Sequence, residues 1–300
     1  MTFPVHAARD TTSRVALITC DLFPDLHDDD VPLRDALIER GAATDAVCWD
    51  DPAADWSTYD LAVIRSPWDY VPRRADFVAW AHRVPRLLNP ADVIAWNTDK
   101  RYLGELATAG APVIPTRYVA PGEPWKPPPS GEWVVKPTVS SRSQDTGRYH
   151  LPEQESPAVA HVARLSAAGR TTMIQPYLTA VDTDGETALL FFTAPDGTLK
   201  FSHAVRKAAM LTGPDEGATA PGSGVITPRT PSEPELTAAT QILAAFPGDL
   251  SRLLYARVDL IPGPDGAPQL SELELIEPSL FLSQSPGAAT RLAKAILARL

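Results

Sequence analysis

Short apolar runs alternate with amphipathic segments in the first part of the chain, and this alternation predicts an α/β unit. Asp30 followed by Pro32 is typical of a helix start, and Gly41 is typical of a helix end. Alternating strands and helices favour a small open parallel sheet that binds ligands beyond the carboxyl ends of its strands. The predicted elements are strands at 15–20, 46–49 and 61–65, one helix between Asp30 and Gly41, and a second helix at 74–83 with Phe77, Trp80 and Ala81 on one face.

Further strands and one helix are predicted for the middle of the chain. A helix at 157–168 should turn Val159, Val162 and Leu165 inward, because these residues follow a helical spacing. The predicted strands cover 113–119, 132–136, 171–175, 185–192 and 199–205, with a proline-rich linker at 121–129.

The alternation at 254–260 and 270–276 predicts a hairpin with charged residues on one face. Asp265-Gly266 lies between the two segments and is a strong signal for a tight turn. Pairing about that turn sets Asp259 opposite Glu272 and Arg257 opposite Glu274. A charged outer face on an edge strand is the plainer alternative.

Carboxylates opposed across two strands destabilise a sheet unless a positive charge compensates them. A divalent metal is a simple remedy, and oxygen ligands select Mg²⁺ or Mn²⁺ over zinc. Mg²⁺ is commonly held by carboxylates together with substrate phosphates, so the hairpin predicts a bound nucleotide. On this view, removing one of the three carboxylates, Asp259, Glu272 or Glu274, should stabilise the metal-free protein.

Two lysines have the surroundings of phosphate ligands. Lys136 ends a predicted strand and precedes the hydroxyl-rich loop 138–147, whose N–H and O–H groups can donate to phosphate oxygens. Lys100 follows Asn97-Thr98-Asp99, which is predicted to cap a helix that ends near Gly110. Lys100 would then lie at the positive end of a helix dipole.

Charge and composition narrow the class of partner. The net charge is −10 at pH 7 with a pI near 5.1, which argues against nucleic acid as the main partner. No apolar run approaches membrane length, and the six histidines show no paired metal-ligand spacing. Cys20 and Cys48 each close a predicted strand, which fits a reducing cytoplasm.

A second polar segment lies at the end of the predicted strand 61–65, where an open parallel sheet binds ligands. It reads Arg65-Ser66-Pro67-Trp68-Asp69-Tyr70 and mixes a cation, an anion and two aromatic rings. The alternative is a polar loop with a docked tryptophan.

From residue 97 to residue 280 the chain resembles the ATP-grasp enzymes. Glu274 stands where that family usually has Asn, and the phosphate loop is rich in Ser where Gly is usual. The motifs that carry the resemblance are Asn97-Thr98-Asp99-Lys100, Val134-Val135-Lys136-Pro137 with its loop, Gln175-Pro176-Tyr177-Leu178, Gly185-Glu186, and Asp259, Glu272 and Glu274 followed by Pro278.

The resemblance implies a nucleotide site with ATP and Mg²⁺ or Mn²⁺. The residues implied for ATP are Lys100, Lys136, Ser140, Ser141, Arg142, Ser143, Gln175, Tyr177, Leu178 and Glu186, and those implied for metal are Asp259, Glu272 and Glu274. It also implies that a substrate carboxylate is activated as an acyl phosphate and then attacked by an amine. Candidates for stabilising the reacting groups are Arg206, Lys207 and Arg257, of which Arg206 and Lys207 lie on opposite strand faces.

A small amino-acid-like substrate is the expected partner. Its ammonium needs a carboxylate, for which Asp69 and Glu277 are candidates, and its carboxylate needs a cation, for which Arg65 and Arg142 are candidates. The full set of candidate substrate residues is Arg65, Ser66, Asp69, Tyr70, Glu277 and Ser279.

The expected fold is α/β, with an N-terminal open parallel sheet at 1–96 and two α+β lobes at 97–180 and 181–300 that clasp the nucleotide. The attacking amine could belong to the activated molecule or to a second one. A nucleotide-binding regulatory protein without turnover would fit the same fold, and so would a kinase. A homo-oligomer is compatible with the sequence.

Overall fold

The computed structural model describes residues 12–215 and 224–300, and this part of the chain contains three β-sheets. The first sheet is wholly parallel, in the order β2-β1-β3-β4, as the alternation of strands and helices predicts. Helix α2 buries Phe77, Trp80 and Ala81, so its predicted inner face is confirmed. The elements are β1 (Arg14–Thr19), α1 (Val31–Ile38), β2 (Ala43–Cys48), β3 (Leu61–Ile64), α2 (Arg74–Ala81) and β4 (Leu87–Leu88).

The second sheet is antiparallel, in the order β5-β8-β6-β7, and is covered by helix α5. The predicted strand at 113–119 is shorter than expected, because Val113 makes only an isolated bridge to Leu270. Val159 of α5 was expected inward but is 40% exposed. The elements are α3 (Ala91–Asn97), α4 (Tyr102–Thr108), β5 (Arg117–Val119), β6 (Gly131–Pro137), β7 (Gly147–Leu151), α5 (Glu155–Ala167), β8 (Thr172–Pro176) and α6 (Ala180–Asp184).

The third sheet is also antiparallel and has the order β11-β10-β9-β12-β13. Helix α7 covers one face, and helix α8 covers the other and packs against α1. The elements are β9 (Glu186–Thr193), β10 (Leu199–Lys207), β11 (Ile226–Arg229), α7 (Glu233–Ala244), β12 (Tyr255–Pro262), β13 (Pro268–Glu274) and α8 (Ala288–Leu297).

The β12–β13 hairpin has the predicted register. Asp259 pairs with Glu272 and Arg257 pairs with Glu274, while Gly266 adopts φ +78° at the turn. The register shifts next to this pair, since Leu260 faces Leu270 and Ser271 is the extra residue. Such a bulge bends a strand locally and is common beside functional sites. The bulge therefore lies immediately next to the opposed carboxylates.

Two predicted helix caps are replaced by longer-range contacts. Asp30 precedes α1 but caps no N–H group with its side chain; its carboxylate accepts from Nε of Arg65 at 2.8 Å. Helix α4 begins only at Tyr102, and Asn97 instead donates to the Leu273 carbonyl and accepts from the Leu275 N–H. Asp30 thus occupies the N-cap position, as the sequence predicts, but makes no side-chain cap because Arg65 takes its carboxylate. Asn97 is taken by distant backbone groups, whereas Asp99 accepts from the nearby Arg101 N–H at 3.1 Å.

The apolar cores cross the predicted boundaries of the three segments. Val93 of α3 and Leu103 of α4 belong to the same core as Val258 of β12. Leu33 of α1 and Leu292 of α8 belong to a core that also includes β9 residues. The division into 1–96, 97–180 and 181–300 stays a prediction, and residues 1–11 and 216–223 of it lie outside the described chain. Among the described helices, none is long and apolar enough to cross a membrane.

Candidate active site

A cavity of about 490 Å³ lies between the three sheets. Its walls come from the loop after β3, from β6 and the loop that follows it, from β8, and from the inner face of β10, β12 and β13. Eighteen of the residues predicted for the site line this cavity, and four do not. Its volume is within the range usual for small-molecule sites.

Two lysines meet at one acidic residue on the cavity wall. Nζ of Lys136 lies 2.8 Å from Oε1 of Glu272, and Nζ of Lys100 lies 3.9 Å from Oε2 of the same carboxylate. Lys100 also donates to the carbonyl of Ser140 at 2.8 Å. The hydroxyl-rich loop lines the cavity beside them with Ser140, Ser141, Arg142 and Ser143. These residues place hydroxyls and three cations at one end of the cavity.

The opposite end of the cavity is more apolar. Tyr177 and Leu178 line it and pack in a cluster with Ile114, Val181 and Ile261. Gln175, which also lines the cavity, donates to Oγ1 of Thr116 at 2.9 Å. Sequence reasoning missed Ile114, which lies in the predicted strand 113–119, and Ile261, which follows the predicted strand 254–260. A flat apolar ring fits this wall.

Four carboxylates and two cations lie along the inner face of the third sheet, namely Glu186, Asp259, Glu272 and Glu274 with Lys207 and Arg257. Asp259 is 1% exposed and accepts from Lys207 at 2.9 Å and from Nε of Arg257 at 2.9 Å. Lys207 also pairs with Glu186, and Arg257 also pairs with Glu274. The carboxylates expected to repel one another are therefore already compensated by side-chain cations. The expectation that removing one of them stabilises the metal-free protein is wrong on this geometry.

The pKa values of these groups follow from burial and from their partners. Burial raises the pKa of Glu186 to about 7 and that of Glu274 to about 7, although Lys207 and Arg257 oppose the shift. At Glu272, burial opposes ionisation, but the charges of Lys100 and Lys136 outweigh it and lower the pKa to about 2. Burial also opposes ionisation of Asp259, whose pKa is nevertheless lowered by Arg257 and Lys207.

The donor chemistry of Asp259, Glu272 and Glu274 fits a hard cation such as Mg²⁺, since all three offer carboxylate oxygens and all three line the cavity. In the described chain, no group of three or more His, Cys, Asp or Glu residues is arranged to hold a metal ion. The carboxylates instead form ion pairs with Lys136, Lys207 and Arg257. The metal assignment of the three residues stays a prediction.

Three of the substrate candidates do not reach the cavity, and two of them are buried in the scaffold. Arg65 is 1% exposed and pairs with Asp30, and it also donates to the Pro278 carbonyl at 2.9 Å. Ser66 is buried, with its hydroxyl 3.2 Å from that of Thr19. These contacts hold the loop after β3 in place.

Asp69, the third of these substrate candidates, does not reach the cavity. Arg206 does not reach it either. Asp69 accepts from the indole of Trp49 at 2.8 Å and from Arg73 at 2.9 Å. Arg206 donates to the carbonyls of Thr183 and Asp184, on the face of β10 opposite Lys207. The predicted site roles of Arg65, Ser66, Asp69 and Arg206 are corrected accordingly, since none lines the cavity.

Three further predicted site residues, Tyr70, Glu277 and Ser279, also line the cavity. Burial raises the pKa of Glu277, although a hydrogen bond from Tyr70 lowers it in part. The carbonyl of Ser279 accepts from Arg257 at 3.1 Å. This part of the cavity thus offers the Glu277 carboxyl group next to a tyrosine hydroxyl.

Other residues of this wall were missed by sequence reasoning. Asp29 lines the cavity and accepts from the N–H groups of Phe281 and Leu282 at 2.8 and 2.9 Å. Burial raises the pKa of Asp29, with the Asp30 charge acting in the same direction. Ser283 and Gln284 also line the wall. Only the acidic run 28–30 could have drawn attention to this side, because 281–284 carries no charged group.

The three-sheet architecture is that of the ATP-grasp class. The solved structure of a RimK domain ATP-grasp protein from Sphaerobacter thermophilus superposes with a TM-score of 0.64 at 15% identity, covering 94% of this chain and 99% of that one. The D-alanine–D-alanine ligase of Bacillus anthracis, solved in complex with ATP, gives 0.62 at 12% identity, covering 95% and 96%. These two likenesses show the fold.

Closer relatives define the family. Residues 15–89 match the family described as the N-terminal domain of D-cycloserine synthetase DcsG. The cycloserine biosynthesis protein DcsG of Streptomyces lavendulae is 40% identical over an alignment of 301 positions, which covers 95% of this chain and 98% of that protein. The crystal structure of D-cycloserine synthetase DcsG superposes with a TM-score of 0.81 at 36% identity, covering 95% and 98%. The chain belongs to this family of ATP-grasp ligases.

Proposed function

We propose that this protein is an ADP-forming cyclo-ligase that uses ATP to close O-ureido-D-serine to D-cycloserine. The observation that carries the proposal is the convergence of Lys100 and Lys136 at Glu272, on a cavity that Tyr70 and Glu277 also line. One side can take a polyphosphate and the other a small zwitterion. Similarity to the D-cycloserine synthetase family supports the choice of substrate.

ATP is assigned to the part of the cavity between β6 and β8. Lys100 and Lys136 would meet the phosphates as point charges, and the hydroxyls of Ser140, Ser141 and Ser143 would donate to the same oxygens. The adenine would lie against Tyr177 and Leu178.

Mg²⁺ would be held by Asp259, Glu272 and Glu274, and when bound it offsets phosphate charge. Lys136, Lys207 and Arg257, which pair with these carboxylates here, would then be released toward the phosphates. On nucleotide binding, Mg²⁺ would thus replace the lysine and arginine side chains as partner of the carboxylates, so that no buried carboxylate is left without a compensating charge.

The chemistry proposed is carboxylate activation followed by ring closure. The γ-phosphoryl group passes to a carboxylate oxygen of the substrate, which gives an acyl phosphate and ADP. The ureido nitrogen that is bonded to oxygen attacks the acyl carbon, and inorganic phosphate leaves as the ring closes. The carbamoyl group on that nitrogen is then hydrolysed off as carbon dioxide and ammonia, which leaves the ring N–H of D-cycloserine. Lys207 and Arg257 are assigned to the negative charge that develops during both steps. Carrying both reacting groups in one molecule gains the advantage of an intramolecular reaction.

Glu277 is assigned to the substrate ammonium. Its side chain lies beside Tyr70 in the cavity, whereas Asp69 is taken by Trp49 and Arg73, and Asp29 accepts from the N–H groups of Phe281 and Leu282. A buried ammonium needs such a partner, because an unpaired charge in the protein interior is costly. Arg142, whose guanidinium faces the same space, is assigned to the substrate carboxylate or the transferred phosphoryl group.

The test is phosphate release with O-ureido-D-serine as the sole amino acid. We expect ADP and phosphate to form together with D-cycloserine, with no second amine in the mixture. Phosphate release that requires a separate amine would replace the cyclo-ligase with an intermolecular ligase. A phosphorylated product without free phosphate would indicate a kinase, and nucleotide binding without turnover would indicate a regulatory protein.

A further inference from the structure

Trp68 contacts three separate parts of the cavity wall. Its indole Nε1 donates to the carbonyl of Glu277 at 2.9 Å, and its own carbonyl accepts from the hydroxyl of Ser141 at 3.2 Å. The guanidinium of Arg142 lies 5.6 Å from the centre of its ring. Trp68 itself follows β3 of the first sheet. One residue therefore joins the parallel sheet, the hydroxyl-rich loop and the substrate wall.

The Trp68 ring belongs to an aromatic triad with Phe23 and His27. Ring centres lie 5.1 Å apart for Phe23 and His27, 5.4 Å for Phe23 and Trp68, and 4.9 Å for His27 and Trp68, all edge to face. Such arrangements are favourable for aromatic quadrupoles and hold rings in a fixed orientation. The triad thus presents a rigid surface to the loop.

The Arg142 side chain lies against this aromatic surface, and its guanidinium N–H groups stay free to bind a ligand. Its guanidinium carbon is 6.0 Å from the Phe23 ring centre, in addition to the Trp68 contact. Within residues 12–215 and 224–300, the Arg142 guanidinium forms no salt bridge with a carboxylate and donates no hydrogen bond. Arg142 and Ser143 have φ of +52° and +54°, which side chains other than Gly adopt only when surrounding contacts hold them. The loop is turned so that Arg142 faces the cavity, which it lines.

We propose that Trp68 is a positioning residue that couples closure of the hydroxyl-rich loop to assembly of the substrate wall. Its ring holds Arg142 over the cavity while its indole N–H fixes the backbone of Glu277. The cation that meets the reacting anion and the carboxylate that meets the ammonium are then placed by one side chain. This inference rests on the proposed function, because it assumes that the cavity binds ATP and a small zwitterion.

The first experiment separates the indole N–H from the ring. Trp68→Phe removes the hydrogen bond to Glu277 but keeps an aromatic face, so we expect the KM for O-ureido-D-serine to rise about fivefold while the KM for ATP stays unchanged. Trp49→Phe is the matched control: it loses an indole hydrogen bond to Asp69 in the same sheet, and Trp49 does not line the cavity. Equal changes in KM for both variants would overturn the proposal.

A double-mutant cycle tests whether Trp68 acts through Arg142. Trp68→Leu should lower kcat/KM about 100-fold, since a small displacement of a catalytic group can cost this much. Arg142→Gln should lower kcat/KM in the unsubstituted chain and have little further effect in Trp68→Leu, whereas Arg142→Lys should restore part of the activity. An equal factor for Arg142→Gln in both backgrounds would show that the two residues act independently.

A third readout does not depend on turnover. Without nucleotide, tryptic cleavage after Arg142 should be several times faster in Trp68→Leu than in the unsubstituted chain or in Trp49→Phe. The reason is that the loop loses the aromatic ring against which Arg142 packs. An unchanged cleavage rate overturns the proposal even if O-ureido-D-serine is not the substrate. Absence of phosphate release in the unsubstituted chain, with the cleavage difference present, would instead contradict the proposed function alone.

Discussion

Lys207 reaches across a whole strand to meet Asp259. The two residues belong to β10 and β12, which lie on either side of β9, and Nζ of Lys207 is 2.9 Å from Oδ2 of Asp259. Glu186 of β9 contacts the same ammonium. Ion pairs within and between neighbouring strands, and this one across β9, therefore compensate the carboxylates on the inner face of the third sheet. The first two predictions follow from this arrangement.

Lys207→Met should destabilise the protein, because it leaves Glu186 and Asp259 buried without this cation. We expect the free energy of unfolding in urea to fall by about 3 kcal/mol, as for other broken buried ion pairs. Lys200→Met is the matched control: Lys200 stands on the same strand but forms an exposed pair with Asp196, and its loss should have no measurable effect. Equal effects at 207 and 200 would contradict the prediction.

Asp259→Asn should lower stability in the absence of metal. The asparagine would leave Lys207 and Arg257 without their shared charged partner, at a cost of about 2–4 kcal/mol in urea unfolding. Asp265→Asn, at the exposed tip of the same hairpin, serves as the control. The variant should also lose Mg²⁺-dependent ADP formation. If Asp259→Asn proves more stable than the unsubstituted chain, carboxylate repulsion outweighs the ion pairs.

Lys100→Met and Lys136→Met should weaken binding of an ATP analogue. Each removes a buried cation from the wall of the cavity, and a charge-assisted contact to phosphate contributes enough for a loss of about 10- to 100-fold in affinity. Titration calorimetry measures the effect directly. Lys126→Met, in the exposed proline-rich loop, should bind as the unsubstituted chain does. A similar loss in all three variants would remove the phosphate assignment.

Trypsin should cleave after Arg142 and spare Arg148. Arg142 is exposed in the loop, whereas Arg148 lies in β7 with its guanidinium over the Tyr177 ring and paired with Asp182. The sequence alone suggests both sites. Mg²⁺ with an ATP analogue should slow cleavage after Arg142 strongly, because the loop would close on the phosphates. The same rate with and without nucleotide would count against closure.

His161 should make stability depend on pH. Burial lowers its pKa, although the Asp215 charge opposes the shift, so the folded protein binds fewer protons than the unfolded chain as pH falls below about 6.5. Its contribution is therefore complete above that pH and is lost as pH falls toward the folded-state pKa. In His161→Gln, the free energy of unfolding should decline less between pH 7 and pH 5. His82→Gln, at an exposed position, should keep the slope of the unsubstituted chain.

The sequence by itself determined the elements and the faces of the strands. Strand periodicity fixed which residues of β12 and β13 share a face, and the turn at Asp265-Gly266 fixed that Asp259 opposes Glu272. The parallel first sheet and the placement of Lys136 before the hydroxyl-rich loop also followed from local pattern. These features depend on residues close together in the chain or on a single hairpin.

Only the tertiary structure decided which distant side chains meet. Glu272 forms an ion pair with Lys136 from another sheet, and Arg65 forms one with Asp30. The Glu277 carbonyl accepts a hydrogen bond from the indole N–H of Trp68. No local periodicity encodes these contacts, because each joins elements whose distance along the chain says nothing about their distance in space. A buried charge takes whichever partner the packing brings within reach. The packing therefore decided that Arg65 serves the scaffold and that Arg142 faces the cavity.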